Sequence, residues 1–167
     1  MSDLFCPATL LVTTTSREQV EALAESLRDR RIARVFTSTL PPAVESGAVA
    51  ARVLGVGAVE LQGLEDSGDS GDSGDSDDSQ GASARFRAAL EEIADLHRGE
   101  TVLVLTHGGV MASVLPRIAT PVRADVVVRA PVPGDDPAEL EVDADGIRLL
   151  SWPGTGDRAT ATAAGTP

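Results

Sequence analysis

Arg85–Leu115 reads RFRAALEEIADLHRGETVLVLTHGGVMASVL. Phe86, Ala89, Leu90, Ile93 and Leu96 recur at helical spacing and predict an amphipathic helix to about His97. Gly99 ends it. Thr101–Thr106 (TVLVLT) is a short apolar run of the kind that forms a strand buried on both faces. His107-Gly108-Gly109 makes the turn. Val110–Leu115 then begins another helix, disturbed at Pro116. Helix, strand, turn and helix in that order form a unit of a parallel α/β sheet.

The same alternation extends towards the N-terminus. Ala8–Val12 (ATLLV) is a second buried strand. Thr13, Thr14, Thr15 and Ser16 follow it, and Ser16 is a good N-cap. Val20, Leu23, Ala24 and Leu27 then form one apolar helical stripe. Arg28, Arg30 and Arg31 fall in that helix's last turn, where cations favour the dipole. Ala33–Ser38 reads as a strand. Pro41 and Pro42 open a helix that runs to about Leu54 and stops at Gly55. Ala58–Leu61 is a short strand. Towards the C-terminus, Val126–Arg129 and Glu139–Val142 are candidate strands. Asp145-Gly146 is a hairpin turn before Ile147–Trp152. The whole predicts a three-layer α/β/α domain with a mainly parallel sheet. Ligands of such sheets bind beyond the C-terminal strand ends. Thr13–Ser16, Thr37–Thr39 and Thr106–Gly109 are the polar turns expected to converge there.

At 167 residues the chain fits one domain, expected over residues 1–152. Residues 153–167 form a polar tail expected to be disordered. No apolar run approaches the ~18 residues of a membrane span. The N-terminus has no signal-peptide pattern, which gives a cytoplasmic expectation. A single cysteine, Cys6, excludes an internal disulfide framework and multi-cysteine zinc sites. No metal or cofactor is expected. The formal net charge is −12, with 26 acids against 14 bases. Phosphate backbones need clustered bases, so neither nucleic acid nor a membrane surface is an expected partner. Every base is Arg, and Lys, Asn and Tyr are absent, a bias that points to a GC-rich bacterial genome.

Much of the acidity sits in one segment, residues 65–82, where Ser67–Ser79 reads SGDSGDSGDSDDS. It has nothing apolar to bury and is expected to be a disordered insert. Its Gly-Asp-Ser-Gly resembles a serine-protease nucleophile motif but lacks flanking apolar strands. Its Asp spacing fails the calcium-loop test, since counting from Asp75 the required Gly and Glu places hold Gln80 and Phe86.

His107 is the most informative side chain. It follows a buried strand and precedes a helix, whose first N–H groups favour an anion. Gly108 and Gly109 permit close approach of a phosphate or carboxylate. A histidine hydrogen-bonded at the rim of the core is the competing explanation. An α/β-hydrolase oxyanion loop also contains His-Gly-Gly, but it requires a Gly-x-Ser-x-Gly elbow, which this chain lacks. The Thr and Ser hydroxyls of the other turns serve as caps as readily as anion donors. His97, at a helix end, is expected in solvent. Cys6, before Pro7, has no basic partner to activate it.

Taken in order, these segments resemble the histidine phosphatase superfamily, with its phosphoglycerate-mutase-like fold. CPATLLV is similar to that family's first strand. SREQVEALAESLRDRRIARVFTSTL is similar to its G-R-x-Q-A, helix, strand and S-S-x-L stretch. PPAVESGAVAARVLGV is similar to the next helix, and Arg85–Leu115 to the last helix–strand–His-Gly-Gly–helix unit. The resemblance covers roughly Pro7–Ile118.

The resemblance implies a phosphohistidine enzyme, but several hallmark residues are missing. Family members carry Arg-His-Gly after the first strand, and that His is the nucleophile. Here the place holds Thr13-Thr14-Thr15-Ser16, and no His precedes His97. The loop that follows in the family is deleted. A second phosphate-binding Arg is replaced by Pro42. Glu65 or Asp66 stands where the acid/base carboxylate is expected. The resemblance therefore implies a pseudoenzyme, a non-catalytic binding or regulatory domain. Its vestigial phosphate pocket is formed by Thr14, Ser38, His107 and the Gly108 N–H. Its ligand would be a small phosphorylated molecule or an inorganic anion. The alternative is a weak phosphomonoesterase using His107 and Glu65.

Overall fold

The computed structural model describes residues 6–14, 17–64, 76–107, 110–111, 114–121 and 137–152. Seven strands form one sheet: β1 (Ala8–Thr13), β2 (Ile32–Thr37), β3 (Ala58–Glu60), β4 (Thr101–Leu105), β5 (Thr120–Pro121), β6 (Ala138–Asp143) and β7 (Gly146–Ser151). Their spatial order is β3-β2-β4-β1-β6-β7-β5. Only β6 runs against its neighbours, so the sheet is mainly parallel as expected.

The helices are α1 (Arg17–Ser26), α2 (Pro41–Leu54) and α3 (Ser76–Leu96), with a one-turn helix at Leu115–Ile118. Helices α1 and α2 cover one face. Val20, Ala24 and Leu27 of the predicted stripe pack there with Ala50 and Ala51 against Leu11, Val35, Leu103 and Leu105. Helix α3 covers the other face, where Phe86, Leu90 and Ile93 meet Leu10, Val12, Val104 and Leu140. The central strands β1 and β4 are therefore buried on both faces, which their continuous apolar runs require. Strand β6 alternates instead. Ala138, Leu140 and Val142 face the core, while Glu139, Glu141 and Asp143 stay half-exposed. Arg30 and Arg148 pair with those acids, Arg30 with Glu139 and Arg148 with Glu141 and Asp143.

Several boundaries differ from the sequence expectation. Helix α3 starts at Ser76, so the last part of the 65–82 segment expected to be disordered is helical. The segment SDDSQ has no apolar period, so a search for one overlooks this helix start. Helix α1 ends at Ser26. Arg28–Arg30 form a separate 3-10 turn closed by Arg31 at φ 53°. Arg31 takes the left-handed cap position more often given to glycine. Pro116 does not end a helix; it sits in the first turn of Leu115–Ile118, where its missing N–H costs nothing. The candidate strand Val126–Arg129, the tail and the Ser16 cap lie outside the described residues. Among the described residues, no helix is long and apolar enough to cross a membrane.

Candidate functional site

Three parallel strand ends are tied side by side. The Thr106 N–H donates to the Thr13 carbonyl at 3.0 Å, and the Ser38 N–H donates to the Leu105 carbonyl at 3.2 Å. The Thr106 hydroxyl donates to the Leu64 carbonyl at 2.7 Å. The turns after β1, β2 and β4 thus meet at one edge of the sheet, together with the chain leaving β3. His107 sits where strand gives way to helix, for its carbonyl accepts the Met111 N–H at 3.0 Å.

The structure joins two of the residues singled out in the sequence. Ser38 Oγ lies 2.8 Å from His107 Nε2, a hydrogen bond whose direction depends on the ring tautomer. The Leu40 N–H approaches the same oxygen at 3.4 Å. Ser38 is completely buried and His107 half-buried. A serine within hydrogen-bond reach of a histidine is the geometry of an activated nucleophile. Ser38 has no exposed surface, and its hydrogen bond holds the imidazole. It also engages Nε2, one of the two ring nitrogens.

Thr14 lies at the same edge, half-buried. Its carbonyl accepts from the Thr13 hydroxyl at 3.3 Å. Its own hydroxyl bonds neither Ser38 nor His107 among the described residues. Gly108 and Glu65 lie outside the described residues. The chain reaches Leu64, fully buried, under the Thr106 hydroxyl. Sequence reasoning missed one contact and one residue here. Thr106 links the β3 and β4 turns across a sequence separation of 42, for which no local signal exists. Arg17 opens α1 three residues after Thr14 and is exposed. Its place in a helix start hid it as a cation at this edge.

His97 is corrected. Its side chain is only 14% exposed and its Nδ1 is 3.5 Å from Glu100 Oε1. Its ring stands edge-on to Phe36 with centroids 5.5 Å apart. The turn from α3 into β4 folds it under the sheet instead of leaving it in water. Cys6 is exposed. Among the described residues no cluster of three or more His, Cys, Asp or Glu side chains is arranged to hold a metal ion.

Ser38→Ala is expected to destabilise the fold by about 1–2 kcal/mol, because a buried hydrogen bond is lost and its partner left unpaired. The His107 ring signals should broaden or shift in NMR spectra. Unchanged stability and unchanged ring signals would show that the pair contributes nothing.

The fold and its strand ends define a class: three-layer α/β proteins with a histidine directly after a buried parallel strand. The sequence model of the Histidine phosphatase superfamily (branch 1) matches residues 65–153, and the chain belongs to that superfamily. No curated protein sequence matches the chain. Among solved structures, YhfR of Bacillus stearothermophilus is similar at 18% identity and TM-score 0.67, covering 86% of this chain and 96% of that one. A mycobacterial glucosyl-3-phosphoglycerate phosphatase, solved as its VO3 complex, is similar at 16% identity and TM-score 0.63, covering 88% and 98%. A putative phosphohistidine phosphatase SixA of Agrobacterium tumefaciens is similar at 13% identity and TM-score 0.52, covering 87% and 96%. At these identities the likeness concerns the fold.

Proposed function

We propose that this protein is a degenerate histidine phosphatase, a cytoplasmic binding or regulatory domain that keeps the phosphate pocket and has lost phosphohistidine chemistry. The observation that carries this reading is at the end of β1, where Thr13 and Thr14 stand in place of Arg-His-Gly. A threonine hydroxyl with no base beside it does not replace an imidazole nucleophile. Losing arginines there also removes charge that a transferring phosphoryl group needs. Loss of such a set leaves at best the catalysis that binding supplies, on the order of 10³–10⁴ over water. The engagement of His107 Nε2 by Ser38 supports the same reading.

The ligand in this reading is a small phosphorylated molecule or an inorganic anion. It would be held by Thr14, His107 and the Gly108 N–H at a helix start, with Arg17 nearby. Few charges converge, so affinity is expected to be weak, about millimolar. Titrating inorganic phosphate while following the His107 ring signals by NMR tests this. Saturable shifts in that range are expected; signals that ignore the anion would make His107 purely structural.

A second reading, a weak phosphomonoesterase using His107 and Glu65, is favoured by one observation. The Thr106–Leu64 hydrogen bond fixes the residue before Glu65 beside the residue before His107. Glu65 itself lies outside the described residues. Turnover lost on Glu65→Gln would establish this second reading.

A further inference from the structure

The hydrogen bonds around Ser38 decide where His107 carries its proton. Ser38 has no exposed surface, so its one hydroxyl hydrogen must find an acceptor inside the protein. Among the described residues that hydroxyl has two polar neighbours, the Leu40 N–H at 3.4 Å and His107 Nε2 at 2.8 Å. An amide N–H can only donate. The Leu40 contact therefore uses a lone pair of Oγ and leaves Nε2 as the acceptor for the hydroxyl hydrogen. Nε2 accepts only when it carries no proton. With Nε2 protonated, two donors would face Oγ and the hydroxyl hydrogen would be buried without a partner, which is costly.

A neutral imidazole holds a single ring proton, and the bond made by one nitrogen sets the state of the other. An unprotonated Nε2 places the proton on Nδ1. Among the described residues Nδ1 makes no hydrogen bond. His107 is half-buried, and its Nε2 meets an oxygen of a residue closed to water. Nδ1 is the uncommitted nitrogen of the ring.

We propose that Ser38 is a positioning residue that locks neutral His107 in the Nδ1–H tautomer, so that the ring offers a ligand a hydrogen-bond donor and no lone pair. That donor suits a group that can only accept, such as the oxygens of a phosphate or a carboxylate. The neutral ring, and not the imidazolium alone, then takes part in holding the oxyanion. This consequence rests on the reading of the His107 edge as an anion pocket; the tautomer itself does not.

Long-range proton–nitrogen NMR spectra of the full chain distinguish the two tautomers, and comparison with His107→Ala assigns the ring. In alkaline buffer without ligand, Nδ1 should give a protonated, pyrrole-type nitrogen resonance and Nε2 a pyridine-type one. The reverse pattern, or two averaged resonances, overturns the proposal. Ser38→Ala should move the Nε2 resonance towards the pyrrole-type position. An unchanged pattern in the folded variant shows that Ser38 is not the lock and also overturns it. Should that variant fail to fold, the spectrum of the unaltered protein still decides. Inorganic phosphate added in the same alkaline buffer should shift Nδ1 saturably and Nε2 less. A phosphate response confined to acid buffer overturns the donor role of the neutral ring. An Nδ1–H pattern that ignores phosphate at every pH removes the anion pocket and leaves the Ser38 lock standing, so the two failures are told apart.

Discussion

Phe86→Ala is expected to lower the unfolding free energy by about 3–5 kcal/mol, the cost of truncating a large buried aromatic and leaving a cavity. Phe86 is 1% exposed and lies in the core cluster between α3 and the sheet, with Leu64 and Leu90. It sits midway along α3 and faces the sheet core. A domain of this size has ~5–15 kcal/mol in total, and Tm should fall by roughly 10 °C or more. Thermal denaturation followed by circular dichroism measures it. A fall below about 2 °C would mean that α3 does not pack on the sheet as described.

Gly47→Val is the second large effect, expected near the upper end of about 1–3 kcal/mol for overpacking. A Cβ at Gly47 would lie 2.1 Å from the Thr37 Cγ2, with Leu105 Cδ1 at 3.8 Å behind it. Thr37 is buried and β-branched, so its side chain cannot swing aside cheaply. Helix α2 must move away from β2 instead. Even Gly47→Ala should destabilise, although alanine improves helix propensity by about 1 kcal/mol. Because Thr37 precedes Ser38, the shift should also disturb the His107 ring signals. Chemical denaturation gives the stability change. A stabilised Gly47→Ala would show that propensity outweighs the contact.

Much of this architecture is written locally. TVLVLT and ATLLV read as strands because each is a short, mostly apolar, β-branched-rich run, and the Val20–Leu27 stripe shows the face of α1. The convergence of Ser38 and His107 follows from topology, since parallel strands deliver their C-terminal turns to one edge. Other features have no local signature. Strand β5 is two residues, Thr120–Pro121, and is a strand only because β7 passes beside it. The start of α3 in SDDSQ shows no apolar period. The Thr106–Leu64 bond joins distant segments. His97 looked like a solvated helix end because its contact, Phe36, lies on a different strand.

The absence of phosphoryl chemistry at His107 is tested most directly by trapping. The protein is incubated with a radiolabelled phosphoryl donor such as acetyl phosphate, quenched in alkali, and examined for label and for added mass on the His107 peptide. The account predicts no phosphohistidine on His107 above that of a denatured control. An acid-labile, base-stable phosphoryl group on His107, absent from His107→Ala, would contradict it.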